Sequence, residues 1–162
     1  MVDFAALLQR LQEHKVKFII IGGAAATAHG SARLTVDLDV VYERSAENIA
    51  ALASALEHSE PYMRGAPPGL PFRFDPPTIQ RGLNFTLTTI YGALDTLGEV
   101  TGGGNYHDLI DHCVELNLFG CKCYCLDLPT LIHVKRAAGR PKDIEAIAEL
   151  EGLQRRLPKA SQ

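Results

Sequence analysis

Two aspartates separated by one residue lie in an apolar run near residue 40. Asp37 and Asp39 alternate with Val36, Leu38 and Val40. Residues i and i+2 of a strand project from the same face, roughly 7 Å apart at their Cα atoms. The carboxylates are therefore predicted to face one way and the apolar side chains the other. Carboxylates about 4–5 Å apart repel by roughly 3–4 kcal/mol at an effective dielectric constant of 20, so the fold must offset that repulsion.

Three arrangements relieve such repulsion: exposure to water, a proton shared between the carboxylates, or a divalent cation. Exposure at a strand end is the ordinary explanation of an isolated Asp-x-Asp pair, but the context here favours the cation. A predicted buried strand ends at Ile21, and Gly22 and Gly23 open a short predicted helix. The glycines leave backbone N–H groups at a positive helix end with no side chain in the way. An anion site beside a cation site indicates a metal-bound polyphosphate.

A third carboxylate, Asp95, interrupts the apolar stretch Ala93–Leu97. We expect this stretch to be a strand that pairs beside the strand of Asp37 and Asp39; the alternative is that Asp95 is an ordinary residue near a turn. Three carboxylates together with substrate phosphates supply the hard oxygen ligands that Mg²⁺ prefers. Two such ions would activate an attacking oxygen and stabilise a leaving pyrophosphate.

Hydrophobic periodicity and turn residues predict the elements that must position these carboxylates. Apolar residues at i, i+3, i+4 and i+7 predict a helix over 3–14. Residues 59–82 contain six prolines and three glycines and are predicted to form an irregular excursion, which with the tip near Gly102 is expected to hold acceptor specificity. The other predicted elements are strands at 17–21, 35–42, 83–89, 93–97, 114–118 and 121–126, a helical turn at 106–112, and helices at 24–30, 45–58, 128–138 and 141–153.

The bulk composition favours one globular domain. The chain has 162 residues, of which 46% are hydrophobic and 22% are charged. A net charge of −3 and a pI near 6.0 give no overall attraction to nucleic acid or to an anionic membrane. The longest apolar run, 18–28, is too short to span a bilayer, and the N-terminus lacks a signal pattern. We therefore expect a cytoplasmic protein that is not attached to a membrane.

Three of the four cysteines lie on one predicted strand face. Cys121, Cys123 and Cys125 form a C-x-C-x-C pattern, which would suit a metal or redox site. Zinc sites usually have wider spacing, and free cysteine behaves as a small hydrophobic residue in a half-buried strand. We favour the hydrophobic role and keep the metal site as the alternative.

Taken together, these motifs resemble the nucleotidyltransferase superfamily that shares its fold with DNA polymerase β. The family pattern is an apolar residue, Gly, then Gly or Ser, a gap, and Asp, apolar, Asp or Glu, apolar; Ile21-Gly22-Gly23 and Asp37-Leu38-Asp39-Val40 match it. The resemblance implies an α+β fold, a mixed β-sheet flanked by helices, in a single domain over 1–162 with a core to about 126 and C-terminal helices over about 127–157. It implies Mg²⁺-dependent transfer of a nucleoside monophosphate from an NTP to a hydroxyl of RNA, protein or a small molecule.

The later segment 131–150 looks like the C-terminal signature of small bacterial nucleotidyltransferases related to the AbiEii and MenT-type toxins. That resemblance implies tRNA or a protein as acceptor and an antitoxin as partner. The alternative is a catalytically inactive module of the same fold that binds a nucleotide or a partner. Charges with no use are costly to hold together, so the three carboxylates argue against the inactive module.

The resemblance also implies roles for single residues. Gly22 and Gly23 would bind the nucleotide phosphates, and Asp37 and Asp39 would hold Mg²⁺. Asp95 would be the third carboxylate, a metal ligand and the candidate base.

Four positively charged residues and one aspartate form the rest of the implied site. By resemblance, Lys135 contacts the triphosphate, and Lys142 and Asp143 close the site. Lys135 also lies on the inward stripe of its predicted helix, where an apolar residue is expected. Its stem can pack there while the ammonium group reaches a phosphate; the alternative is a lysine that extends to solvent at the helix end. Arg33 and Arg140 are further candidates for phosphate contacts, the alternative being solvated positions.

The sequence departs from the family pattern at two positions. Gly23 replaces the serine of the commoner family form, which removes a hydroxyl group but leaves the backbone amides. Ala146 stands where the family often has a further aspartate, with Glu145 beside it.

Overall fold

The structure is a computed structural model, and it describes residues 1–157. Residues 158–162, the end of the predicted domain, lie outside the described range. The strands are β1 (Phe18–Ile21), β2 (Asp37–Tyr42), β3 (Tyr62–Met63), β4 (Asn84–Thr89), β5 (Gly92–Leu97), β6 (Glu99–Val100), β7 (Gly104–Asn105), β8 (Cys113–Leu118) and β9 (Cys121–Leu126). The helices are α1 (Phe4–Glu13), α2 (Gly22–Ala28), α3 (Ala46–Leu56), α4 (Pro76–Arg81), α5 (Tyr106–Leu109), α6 (Leu128–Ala138) and α7 (Pro141–Arg156), and the 3₁₀ turn Ile110–His112 follows α5.

Seven strands form one mixed sheet in the order β3-β4-β5-β2-β1-β9-β8, and β6 and β7 form a separate hairpin. The central strand β2 pairs antiparallel with β1 and parallel with β5. α1 packs on α3 and β9, α2 packs on α6, and α6 packs on α7. The fold is the predicted α+β arrangement of a mixed sheet flanked by helices. None of the helices within residues 1–157 has both the length and the apolar character needed to cross a membrane.

Side chains at the helix starts explain why the helices begin where they do. Asp3, Ser45, Asp75 and Asp127 each accept a hydrogen bond from a backbone N–H group in the first turn of α1, α3, α4 and α6. Gly139 ends α6 in the left-handed conformation, at φ +65°. The helix α6 begins and ends at the residues predicted and packs on α7 and α2.

The strand β1 is buried along its whole length and anchors the glycine turn that follows it. Burying each of its side chains contributes roughly 1.5–3 kcal/mol, so Ile21 and the turn after it are held firmly. On β2, Leu38 and Val40 are buried, as the alternation predicts. The prediction was wrong for Val36, which is 70% exposed because β2 begins only at Asp37 and not at Thr35.

The proline-rich segment 59–82 is more regular than predicted. It contains β3, which pairs antiparallel with β4 at the sheet edge, and α4. Pro76 and Pro77 open α4, where proline is favoured because the first helical N–H groups have no partner within the helix. Ile79 of α4 is fully buried and fastens the segment to the core.

The cysteines of β9 have the hydrophobic role predicted for them. Cys121, Cys123 and Cys125 are buried on one face. Burial raises the pKa of the Cys125 thiol to about 12 and that of the Cys123 thiol to about 11, so both thiols stay neutral at physiological pH. Among the described residues 1–157, the side chains close enough together to bind one metal ion are aspartates. The cysteines of β9 do not form such a group.

Candidate active site

The strand register brings three aspartates together. In the parallel pairing of β2 with β5, Asp39 lies opposite Asp95, and Asp37 shares the face of Asp39 one pleat away. One carboxylate oxygen from each of the three residues lies within 4.8 Å of the others. The prediction that the strand of Asp95 pairs beside the strand of Asp37 and Asp39 is confirmed.

Gly22 brings the main chain close to these carboxylates. Ile21 lies opposite Asp39 in the β1–β2 pairing, so the turn after β1 begins beside that side chain. A Cβ atom built on Gly22 would lie 2.9 Å from Asp39 Cγ and closer still to Oδ2. Gly22 also has φ +65°, a conformation that favours glycine. The position therefore excludes side chains for two independent reasons.

Gly23 has a different neighbour, the side chain of Thr35. A Cβ atom on Gly23 would lie 2.5 Å from Thr35 Oγ1 and 2.9 Å from Thr35 Cβ. The Thr35 hydroxyl donates to the carbonyl oxygen of Asp37 at 3.0 Å. Thr35 therefore fills the space that a serine at position 23 would need, which explains the departure from the commoner family pattern.

Burial and neighbouring carboxylates raise the pKa values of Asp39 and Asp37. Burial, and then the charges of Asp37 and Asp95, raise the pKa of Asp39 to about 8. Burial and the charge of Asp95 also raise the pKa of Asp37. Asp39 Oδ1 is buried and has no hydrogen-bond partner among the described residues. Without a cation, the fold therefore holds these aspartates at a cost, and at neutral pH Asp39 keeps its proton.

These features fit a divalent cation. The oxygens are hard ligands, they converge from two strands, and one of them is a buried acceptor with no partner. A cation among them would satisfy that oxygen and reverse the electrostatic cost of ionising the group.

A cavity of about 280 Å³ adjoins Asp39 and Asp95. Gly22, Lys135 and Arg140 also line this cavity. Burial lowers the pKa of Lys135, while the charges of Asp143 and Asp39 oppose that shift. A half-buried ammonium group thus faces the same space as the carboxylates, at the end of the α6 stripe that sequence periodicity predicted.

Arg140 and Asp143 form a linked pair at the start of α7. Arg140 Nε donates to Asp143 Oδ2 at 2.7 Å, and the Arg140 backbone N–H donates to the same oxygen at 3.2 Å. Asp143 is only 2% exposed. Burial by itself would raise the pKa of Asp143, but the hydrogen bonds and charge of Arg140 outweigh it and hold that pKa below its ordinary value. The charges of Lys142 and Arg140 also reach Asp37, whose carboxylate form they favour.

The structure places Arg33 against α7. Its Nη2 atom lies 3.7 Å from Glu145 Oε2, and both side chains are largely exposed. A phosphate contact by Arg33 stays a prediction.

Sequence reasoning missed Arg64. Its Nη2 atom donates to Asp95 Oδ1 at 2.7 Å and to the carbonyl oxygen of Leu87 at 2.8 Å. Arg64 lies in the proline-rich segment, where no periodicity distinguishes it from another arginine such as Arg73. Only the pairing of β3 with β4 brings it beside Asp95.

The structure of this chain is similar to known structures, although its sequence matches no family model. No protein-family model matches the sequence, and no curated protein sequence matches it. The crystal structure of the lincosamide antibiotic adenylyltransferase LnuA, with lincomycin bound, is similar at a TM-score of 0.61 and 18% identity, over 94% of this chain and 98% of that one. A Thermotoga maritima protein assigned as a nucleotidyltransferase is similar at a TM-score of 0.58 and 13% identity, over 94% of this chain and 96% of that one.

A third similar structure is the solution structure of the antibiotic-resistance factor ANT(2″)-Ia. Its TM-score is 0.54 at 18% identity, over 92% of this chain and 85% of that one. At these identities the likeness shows the fold alone. The chain has the nucleotidyltransferase fold over nearly its whole length, and the predicted fold class is confirmed.

Proposed function

We propose that this protein is a metal-dependent nucleotidyltransferase that moves a nucleoside monophosphate from an NTP to an acceptor hydroxyl and releases pyrophosphate. The observation that carries the proposal is the convergence of Asp37, Asp39 and Asp95 beside the glycine turn at Gly22. The nucleotidyltransferase fold of the chain supports it.

The three aspartates would hold Mg²⁺. When bound, Mg²⁺ would supply the positive charge that keeps the carboxylates ionised and attracts phosphate oxygens. Asp95 is the candidate base that accepts the proton of the attacking hydroxyl, since it lines the cavity where an acceptor would meet the nucleotide.

The triphosphate would lie between the glycine turn and α6. Gly22 and Gly23 carry no side chains of their own, so their backbone N–H groups could approach phosphate closely. Lys135, which is partly buried and lines the same cavity, would contact the phosphates with its ammonium group. Arg140 would act beside it, held in place by Asp143.

Two further residues complete the proposed site. Lys142 would add positive charge where the charges of α7 reach Asp37. Arg33 would reach a phosphate only after leaving Glu145, with which it forms an exposed pair worth little in free energy.

Three classes of acceptor are candidates: tRNA, a protein and a small molecule. The segment 131–150 resembles that of toxins, which favours tRNA or a protein as acceptor and an antitoxin as partner. LnuA is named for the adenylylation of a lincosamide antibiotic, which favours a small molecule with free hydroxyl groups. The net charge of −3 gives no long-range attraction to tRNA.

The test is a transfer assay with Asp39→Asn as the inactive variant. Wild type is incubated with Mg²⁺ and each labelled NTP, with bulk tRNA, a protein mixture or lincomycin, and pyrophosphate and labelled product are measured. Asn keeps the shape of Asp39 but loses a charged metal ligand. We expect activity to fall by at least about 100-fold, since changes to residues behind a ligand already cost 10–100-fold.

The exposed Asp111 provides the matched control. Asp111→Asn makes the same chemical change on the surface and should keep wild-type activity. Asp39→Asn should melt no lower than wild type at pH 7, because folding of wild type must protonate a carboxyl group that is ionised in the unfolded chain, a cost that the neutral amide avoids. A wild-type chain that binds Mg²⁺ and NTP but releases no pyrophosphate with any acceptor would contradict the proposal and favour the inactive module.

A further inference from the structure

Arg64 is tied to the sheet at three points. Its backbone N–H donates to the carbonyl oxygen of Thr86 at 2.9 Å, and its guanidinium group donates to the carbonyl oxygen of Leu87. Asp95 lies opposite Thr86 in the β4–β5 pairing, and its Oδ1 accepts the third bond, at 2.7 Å. The guanidinium group is thus held by β4 and does not depend on Asp95 alone for its position.

The bond to Arg64 uses one of the two oxygens of Asp95. Asp95 is 18% exposed and the Arg64 side chain is 33% exposed, so the pair is mostly shielded from water. The bond to Oδ1 restricts rotation of the carboxyl group, which offers an oxygen within 4.8 Å of oxygens of Asp37 and Asp39. Neighbours that hold one side of a ligand in this way orient metal ligands in proteins generally.

We propose that Arg64 is a positioning residue for Asp95, which fixes the orientation of its carboxylate so that one of its oxygens serves the cation site. The inference rests on the proposed function and adds to it a residue from the proline-rich segment. That segment is thereby coupled to the metal ligands through one side chain.

The competing explanation is that Arg64 only neutralises the charge of the carboxylates while no metal ion is bound. Two effects of opposite sign separate the accounts. If charge alone mattered, loss of Arg64 would tighten binding of a divalent cation, because a like charge would be gone. If orientation matters more, loss of Arg64 would weaken binding, because Asp95 would have to be ordered each time a cation binds.

The test measures Mn²⁺ binding by electron paramagnetic resonance in the nucleotide-free protein. The variants are Arg64→Ala, Arg64→Lys and, as the matched control, Arg73→Ala, which removes an exposed arginine of the same segment. Lysine keeps the charge but not the planar fork of the guanidinium group. We expect both Arg64 variants to bind Mn²⁺ about 10–100-fold more weakly than wild type, and Arg73→Ala to bind it equally well.

Steady-state kinetics give the second readout. The Arg64 variants should lose kcat by a similar factor while KM for the NTP changes little, because the proposed triphosphate contacts come from other elements. The backbone bond from residue 64 to Thr86 persists in every variant, so each is expected to fold, with Arg64→Ala melting below wild type because Asp95 loses its cationic partner.

The outcomes separate the two proposals. Equal or tighter Mn²⁺ binding by Arg64→Ala, with wild type binding normally, would overturn the role of Arg64 and leave the proposed function standing. Weak binding by Arg64→Ala but wild-type binding by Arg64→Lys would support a positioning role for residue 64 in which one ammonium donor suffices to hold Asp95, because loss of the charge by itself would have tightened binding. A wild-type chain that binds no Mn²⁺ would contradict the proposed function itself, and the inference with it.

Discussion

Substitution of Gly22 is expected to be costly for two reasons, its positive φ and the Asp39 carboxylate packed against it. An alanine there must adopt a positive φ, which costs about 1–2 kcal/mol, and must also displace the Asp39 carboxylate. Gly120 has φ +79° but no atom within 4 Å of its built Cβ. We expect Gly22→Ala to destabilise the protein by about 1–3 kcal/mol more than Gly120→Ala in urea unfolding.

Activity distinguishes these two glycines further. Gly22→Ala should abolish transfer, since it moves a proposed metal ligand, whereas Gly120→Ala in the β8–β9 turn should retain it. If both variants lost the same free energy of unfolding, the Asp39 carboxylate would have moved away from the introduced methyl group without destabilising the fold.

The pKa of Asp39 predicts an unusual dependence of stability on pH. An unfolded chain loses this proton near the ordinary value of 3.8, whereas the folded chain keeps it to about pH 8. Between these values the folded state binds more protons, so the free energy of unfolding falls as pH rises. The groups acting on Asp39 are Asp37 and Asp95, which raise its pKa, and Lys135, which lowers it.

Urea unfolding at pH 5, 6, 7 and 8 in the presence of a chelator measures this effect. Wild type should lose more stability across the series than Asp39→Asn, which has no proton to release. Mg²⁺ affinity should show the opposite trend and rise with pH up to about 8, because the metal must displace the proton. Parallel stability profiles for wild type and Asp39→Asn would contradict the raised pKa.

At the scale of elements, α2 and the chain entering β2 fit together through Gly23 and Thr35. Gly23→Ser should destabilise the protein by about 1–3 kcal/mol, because its Cβ would overlap the Thr35 side chain. Thr35→Gly removes that side chain and should offset much of the loss in the double variant. A double-mutant cycle of unfolding free energies isolates the coupling, which we expect to be at least about 1 kcal/mol. Additive effects would mean that the loop shifts to make room.

The C-terminal helices belong to the same arrangement. Glu149 of α7 accepts a hydrogen bond from the Ser31 hydroxyl at 2.5 Å and another from the Ala32 backbone at 3.2 Å. These bonds fix the loop that leads into β2 and its aspartates. Since α6 carries Lys135, both helices shape the site although neither carries one of the three carboxylates.

At the scale of the whole molecule, the proposed site predicts that Mg²⁺ and NTP stabilise the folded protein cooperatively. Mg²⁺ and NTP together should raise the melting temperature by more than the sum of their separate effects, since each offsets the charge of the other. At 100 times Kd the stabilisation is about 2.7 kcal/mol, or roughly 5–10 °C for a chain of this size. Differential scanning fluorimetry measures this shift. Asp39→Asn should show little of the joint effect, and a strictly additive shift in wild type would argue against a shared site.

Local patterns predicted much of this fold. The limits of α6 and the capping roles of Ser45 and Asp127 follow from short stretches of sequence, because capping and periodicity act within a few residues. The predictions failed where the pattern was weak. Val36 reads as part of an alternating strand but precedes it, and turn residues in 59–82 conceal a strand and a helix.

The sequence by itself determined that Asp37 and Asp39 share a strand face and that a glycine turn follows a buried strand, since both properties follow from the geometry of neighbouring residues. Only the tertiary structure decided that Asp95 lies beside Asp39 and that Arg64 binds Asp95. Those contacts depend on which strands pair and in what register, and this choice is made by the packing of the whole sheet.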